Sequence, residues 1–215
     1  MYLSRVILDD QKRETMRLLS SPEFLHGAVE QSFPGEKQRR LWRLDGYGGQ
    51  CCLLVLSAQK PDFTQTVSEY GFPDRSPAWE TKPYEALLNK LREGQTWRFR
   101  LKANPVRSVK EDKTGRGKVM AHVTTSQQKD WLMKRAEDCG FSLDPDGFDV
   151  VHTQWLRFHK GRGHEITLRT ATFEGLLNVR DPEALKAALL QGIGRAKAYG
   201  CGLMTLIPPH PRHHG

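Results

Sequence analysis

The chain has 215 residues, 38% of them hydrophobic, and carries 33 Lys and Arg against 25 Asp and Glu, a net charge of +8. That length suits one large domain or two of about 100 residues, and the charge favours a polyanionic partner, although excess charge alone also fits a soluble protein that is merely basic. No run approaches the roughly 18 apolar residues of a membrane span, and the N-terminus turns acidic at Asp9-Asp10, too soon for a signal peptide; the expectation is a cytoplasmic protein with no membrane contact.

Tyr2–Leu8, with Val6 and Ile7, reads as a strand. Asp9-Asp10 stand where they would cap a helix over 11–19, with Met16 and Leu19 inward. Ser21-Pro22-Glu23 starts a second helix: Ser as N-cap, Pro in the first turn, an acid at the positive end of the dipole. Leu25, Ala28, Val29 and Ser32 share one face of it, and Pro34-Gly35 ends it. Segments 41–44 and 51–57 flank a glycine turn and predict a hairpin. Residues 58–82, holding Pro61, Pro73 and Pro77, read as a long connection. A short helix over 84–91 precedes a strand at Thr96–Ala103, where Trp97, Phe99 and Leu101 alternate with Arg98, Arg100 and Lys102. That strand has an apolar face and a cationic face. The order is β-α-β-β-α-β, the ferredoxin-like unit.

After Asn104-Pro105 the order recurs. A charged loop at 107–117 contains Lys110, Lys113 and Arg116. A helix over 127–139 turns Trp131, Leu132, Ala136 and Cys139 inward. Strands over 148–158 and 165–179 form a hairpin, Asp181-Pro182 opens a helix to 191, and a last strand spans 203–207. The fold expected is α+β: two tandem ferredoxin-like (RRM-like) domains, 1–104 and 105–215.

Three features bear on chemistry. The loop from Gly192 to Gly202 holds Gly192, Gly194, Gly200 and Gly202 together with Arg195 and Lys197. Glycines let backbone N–H groups approach an anion, although most such loops are only turns. The hairpin end crowds Arg157, His159, Lys160, Arg162 and His164 around two glycines. A basic ribbon of this kind suits a nucleic-acid groove; its plain alternative is a solvated end that protects an edge. The strand at 98–102 and the loop at 107–118 supply further cations, Lys102 and Arg107 among them. Paired aromatics of an RNA-stacking sheet are missing, since Trp97 and Phe99 read as core. His26 borders the apolar stripe of the second helix, with Glu23 at i−3 and Glu30 at i+4. It is either a surface histidine paired with a carboxylate or a general acid or base. RNA cleavage by the ribose 2′-OH needs only proton transfer, alignment and charge stabilisation. No paired-metal carboxylate pattern stands out, and no C-x-x-C pair marks a zinc site. Cys51, Cys52, Cys139 and Cys201 read as free thiols, and His210, His213 and His214 lie in a Pro-rich tail.

Four strings, in order along the chain, carry a resemblance: Met1-Tyr2-Leu3-Ser4-Arg5-Val6, Phe99-Arg100-Leu101-Lys102-Ala103-Asn104-Pro105, Thr172-Phe173-Glu174-Gly175-Leu176-Leu177, and Gly192-Ile193-Gly194-Arg195-Ala196-Lys197-Ala198-Tyr199-Gly200-Cys201-Gly202-Leu203. From end to end the chain resembles the CasE family of CRISPR RNA-processing endoribonucleases. The resemblance implies metal-independent cleavage of CRISPR precursor RNA at the base of a repeat stem-loop. It implies retention of the guide RNA's 3′ hairpin within Cascade, with repeat RNA and other Cascade subunits as partners and no cofactor. It puts the catalytic role on His26, and groove binding on the hairpin at 157–164. Some members carry a tyrosine three residues before the histidine; here that residue is Glu23. A non-catalytic RNA-binding subunit that caps the guide is the alternative.

Overall fold

The computed structural model describes residues 1–35, 38–109, 118–159, 161, 163 and 165–208. Its first strand, β1 (Tyr2–Leu8), buries Ser4, Val6 and Leu8 in alternation, as a half-buried strand must. Two helices follow, α1 (Arg13–Leu19) and α2 (Pro22–Gln31). Ser21 caps α2 as expected, its hydroxyl accepting from the Glu23 amide with Pro22 in the first turn. α1 departs from expectation. Asp9 accepts from the Gln11 amide in a turn, and the helix starts only at Arg13, uncapped by any side chain. Met16, expected inward, is 59% exposed, while Leu18 is buried. Thr15 sets the phase of this short helix by donating its hydroxyl to the Tyr70 carbonyl at 3.0 Å.

β2 (Leu41–Tyr47) and β3 (Gln50–Ser57) form the expected hairpin. The stretch read as a plain connection contains α3 (Thr64–Tyr70) and β4 (Trp79–Pro83). Pro61 precedes α3, and Pro73 and Pro77 lie between α3 and β4, so none of them interrupts either element. α4 (Glu85–Leu88) is a single turn. The antiparallel sheet order is β2-β3-β1-β4, the ferredoxin-like arrangement. α2 seats Leu25, Ala28 and Val29 on this sheet among Val6, Leu53, Val55 and Phe63. Each large side chain so buried stabilises the packing by about 1.5–3 kcal/mol. That stripe fixes the rotation of α2 and hence the direction of His26.

β5 (Thr96–Ala103) buries Trp97, Phe99, Leu101 and Ala103, as the alternation requires. It does not close the first sheet, which β4 closes; it begins the second. The alternation reveals a strand but not its partners. β6 (Val106–Val109) and β7 (Lys118–Ala121) pair as a separate ribbon in the region read as a charged loop; Lys110, Lys113 and Arg116 lie outside the described residues. α5 (Thr125–Ala136) opens on a capping box of Thr124 and Gln127. Then come β8 (Phe141–Ser142), β9 (Phe148–His159), β10 (Glu165–Val179), α6 (Pro182–Gln191), a 3-10 turn (Lys197–Tyr199) and β11 (Met204–Ile207). The second sheet runs β11-β5-β10-β8, with β9 beside β10. Apart from β9, this repeats the order of the first sheet, so both halves of the α+β fold are ferredoxin-like as expected. Trp131 of α5 stacks on Phe173 at 6.2 Å between ring centroids.

The chain divides into two compact units. The first comprises Met1–Lys90, Arg157–Ile166 and Ala196–Leu203; the second comprises Leu91–Leu156, Thr167–Arg195 and the chain from Met204. Among the described residues no helix is long and apolar enough to cross a membrane.

Candidate functional site

His26 stands beside the buried stripe of α2 and is half-buried. Its two neighbouring acids are engaged elsewhere. Glu23 accepts the Gly161 N–H through both carboxylate oxygens, at 2.9 and 3.2 Å. Glu30 pairs with Arg40 at 2.7 Å, whose guanidinium also lies 4.2 Å from the Phe33 ring centroid. The expected carboxylate partner for His26 is therefore not found. Helical spacing gave both acids the reach, but a turn amide and a buried guanidinium hold them. Among the described residues no hydrogen bond or ion pair engages the His26 imidazole.

Within the first unit, several segments gather around α2. The 3-10 turn packs against α2 and β2. Gly200, at φ 75°, lets this segment lie on Trp42, since a Cβ there would come within 2.6 Å of the indole ring. Arg43, 1% exposed, donates to both Asp45 carboxylate oxygens at 2.8 and 2.6 Å and to the Leu203 carbonyl at 2.8 Å. A guanidinium so buried needs this degree of hydrogen bonding. Phe158 of the hairpin meets Tyr199 edge-on at 4.8 Å. The hairpin end is thus tied at its foot to the 3-10 turn and at its tip to α2. Arg157 and His159 are exposed there; Lys160, Arg162 and His164 lie outside the described residues. Lys197 is half-buried and engaged within the protein. Gly202, at φ 94°, completes the turn.

The second unit holds the other half of the glycine loop. Gly192 and Gly194 have φ of 77° and 85°, and a Cβ on Gly194 would lie 3.0 Å from the Trp131 ring. Arg195 and Arg107 line a cleft of about 490 Å³, together with His122, Lys134 and Arg135. Lys102 is half-buried on β5 and lies outside that cleft. Arg98 is exposed, but Arg100 pairs with Glu174 at 2.8 Å, so the cationic face of β5 is partly neutralised. Sequence reasoning missed His122, Lys134 and Arg135, and the only signal was a Lys-Arg pair on a predicted helix. It also missed Trp155, 48% exposed, with the Arg169 guanidinium 5.5 Å from its ring centroid. Among the described residues no three His, Cys, Asp or Glu side chains come together to hold a metal ion.

A family model described as CRISPR associated protein matches residues 1–208. The chain is 30% identical to the CRISPR-associated endoribonuclease Cse3 of Thermus thermophilus, over 97% of this chain and 100% of the relative. It is 28% identical to the CRISPR system Cascade subunit CasE of Escherichia coli K12, over 74% of this chain and 75% of the relative. A solved structure of CRISPR endoribonuclease Cse3 bound to a 19-nucleotide RNA matches it with a TM-score of 0.81 at 28% identity, over 97% of this chain and 100% of the other.

Proposed function

The chain belongs to the CRISPR-associated protein family, alongside Cse3 and CasE, and on that footing we propose that it is a metal-independent endoribonuclease that cuts CRISPR precursor RNA at the base of a repeat stem-loop. The observation that carries this reading is the half-buried His26, with no protein partner among the described residues, on a helix to which both the basic hairpin and the glycine-rich turn are tied. The relatives' names support RNA cleavage and assembly with other Cascade subunits.

The nucleophile is the 2′-OH of the nucleotide before the cut. Its oxygen attacks the adjacent phosphorus, the bond from phosphorus to the 5′-oxygen breaks, and a 2′,3′-cyclic phosphate and a 5′-OH result. His26 carries the proton, taking it from the 2′-OH as base or giving it to the leaving 5′-oxygen as acid, a contribution of about 10²–10⁴ in rate. Arg157, Lys160 and Arg162 hold phosphates of the stem. Lys102, Arg107, Arg195 and Lys197 extend the cationic track, with Gly192, Gly194, Gly200 and Gly202 shaping the loop that carries the last two. The enzyme works in the cytoplasm, where the transcript is made, keeps the guide's 3′ hairpin after cutting and enters Cascade with it. No cofactor takes part.

Product ends test the chemistry. Cleavage in EDTA should give a 5′-hydroxyl that kinase labels without phosphatase treatment, and a 2′,3′-cyclic phosphate. A 5′-phosphate with a 3′-hydroxyl would instead mean attack by water, and would overturn the scheme.

A further inference from the structure

The cationic cleft of the second unit has no role in that scheme beyond Arg107 and Arg195. Arg107 comes from β6, Lys134 and Arg135 from α5, and Arg195 from the glycine loop; His122 joins them, and Asp130 is the acid on the wall. Like charges held this close repel one another, and an anion relieves the repulsion. The strain registers on His122. Burial first, then Arg107, Arg135 and Lys134, hold its imidazole below the usual histidine range, with Asp130 opposing. Arg135 is also lowered, chiefly by burial; Cys139 and Asp138 oppose this, and Arg195 adds a smaller push downward.

Neutral donors face the same anion requirement. Positive φ at Gly194 and Ala196 bends the loop here, and glycine at 194 leaves no Cβ between its backbone amide and an anion. Among the described residues, the amides of Gly194 and Arg195 meet no acceptor. Trp131 also lines the cleft. It is 3% exposed, and its indole N–H has no acceptor among the described residues. A buried donor left so is costly, about 1–3 kcal/mol.

We propose that this cleft seats the phosphodiester backbone of an unpaired RNA segment flanking the repeat stem; the inference rests on the RNA-processing reading above. A cavity of about 490 Å³ has room for a nucleotide's phosphate and sugar. A duplex is too wide to enter it and presents its phosphates on a convex surface, so the stem is not the occupant.

The test compares two RNAs, the bare stem-loop and the stem-loop with its unpaired flank, by dissociation constant at several salt concentrations. Lys134→Ala removes an exposed side chain of α5 and leaves the fold intact; Lys186→Ala, on α6 outside the cleft, controls for net charge. Lys134→Ala should weaken binding of the flanked RNA about three- to tenfold and lower its salt slope by about 0.7, one single-strand phosphate contact. It should change stem-loop binding less than twofold, and Lys186→Ala should match wild type on both RNAs. If Lys134→Ala weakens both RNAs equally, or neither, the cleft is not a seat for the flank, while wild-type affinity for the stem-loop leaves the RNA-processing reading standing. Wild type binding neither RNA would overturn both.

Discussion

The carboxylate of Glu23 accepts the backbone N–H of Gly161 through both oxygens, joining the first turn of α2 to the tip of the β9–β10 hairpin across 138 positions of sequence. Glu23 thereby tethers the hairpin beside the helix of His26. The bond is charge-assisted, yet it lies at the surface, where water competes with it.

Glu23→Ala releases that tether. The exposed bond is worth about 1 kcal/mol, so affinity for the repeat stem-loop should fall about fivefold. Single-turnover cleavage at saturating enzyme should stay within about threefold of wild type. Glu23→Gln keeps one acceptor oxygen and should lose less. A slower chemical step with unchanged affinity would instead assign Glu23 to proton transfer.

Gly200→Ala should destabilise the first unit. The residue sits at φ 75°, and the added Cβ would come within 2.6 Å of the Trp42 ring, in a wall that cannot yield without repacking. A cost of about 2 kcal/mol is expected, read as a drop in Tm of about 4–8 °C. An unchanged melting curve would show that the glycine turn does not lean on Trp42.

Cys52 gives a pH-dependent prediction. It is 2% exposed, and burial pushes its thiol up from 9.0 to about 11, with Arg5 opposing. The native thiol therefore stays protonated at pH 8 and should resist alkylation until urea unfolds the chain. In the unfolded chain this thiol ionises near 9, before the native one does, so its contribution to stability is full below about 9. That contribution falls as pH rises toward about 11. Denaturant titrations of wild type and Cys52→Ala across this window should show the steeper loss in wild type; parallel curves would contradict the shift.

Local signals in the sequence were strong where one segment decides its own structure. Ser21-Pro22-Glu23 marked the start of α2, Asp181 caps α6 by accepting from the Glu183 and Ala184 amides, and the alternation of β5 matches its burial. Tertiary choices were not legible. β5 alternates identically whether it joins the first sheet or the second, and its pairing with β10 and β11 depends on residues far along the chain. β4 lay hidden among prolines because Pro73, Pro77 and Pro83 fall at its approaches and its end. The helix bearing His26 could be read from its apolar stripe, and the glycine loop from its composition. The Glu23–Gly161 bond and the cleft of Arg107, His122, Lys134, Arg135 and Arg195 could not, since each draws on segments that only folding brings together.

The most direct test of the central claim is single-turnover cleavage of labelled repeat RNA in EDTA, by wild type and His26→Ala, with either ribose or 2′-deoxyribose at the mapped cut. Wild type should cut the all-ribose RNA and spare the 2′-deoxy one. His26→Ala should be slower by about 100-fold or more while binding the stem-loop within twofold of wild type. Tight binding without cleavage by wild type, or cleavage by His26→Ala at the wild-type rate, would contradict the account; the first of these outcomes would leave an RNA-binding subunit that caps the guide.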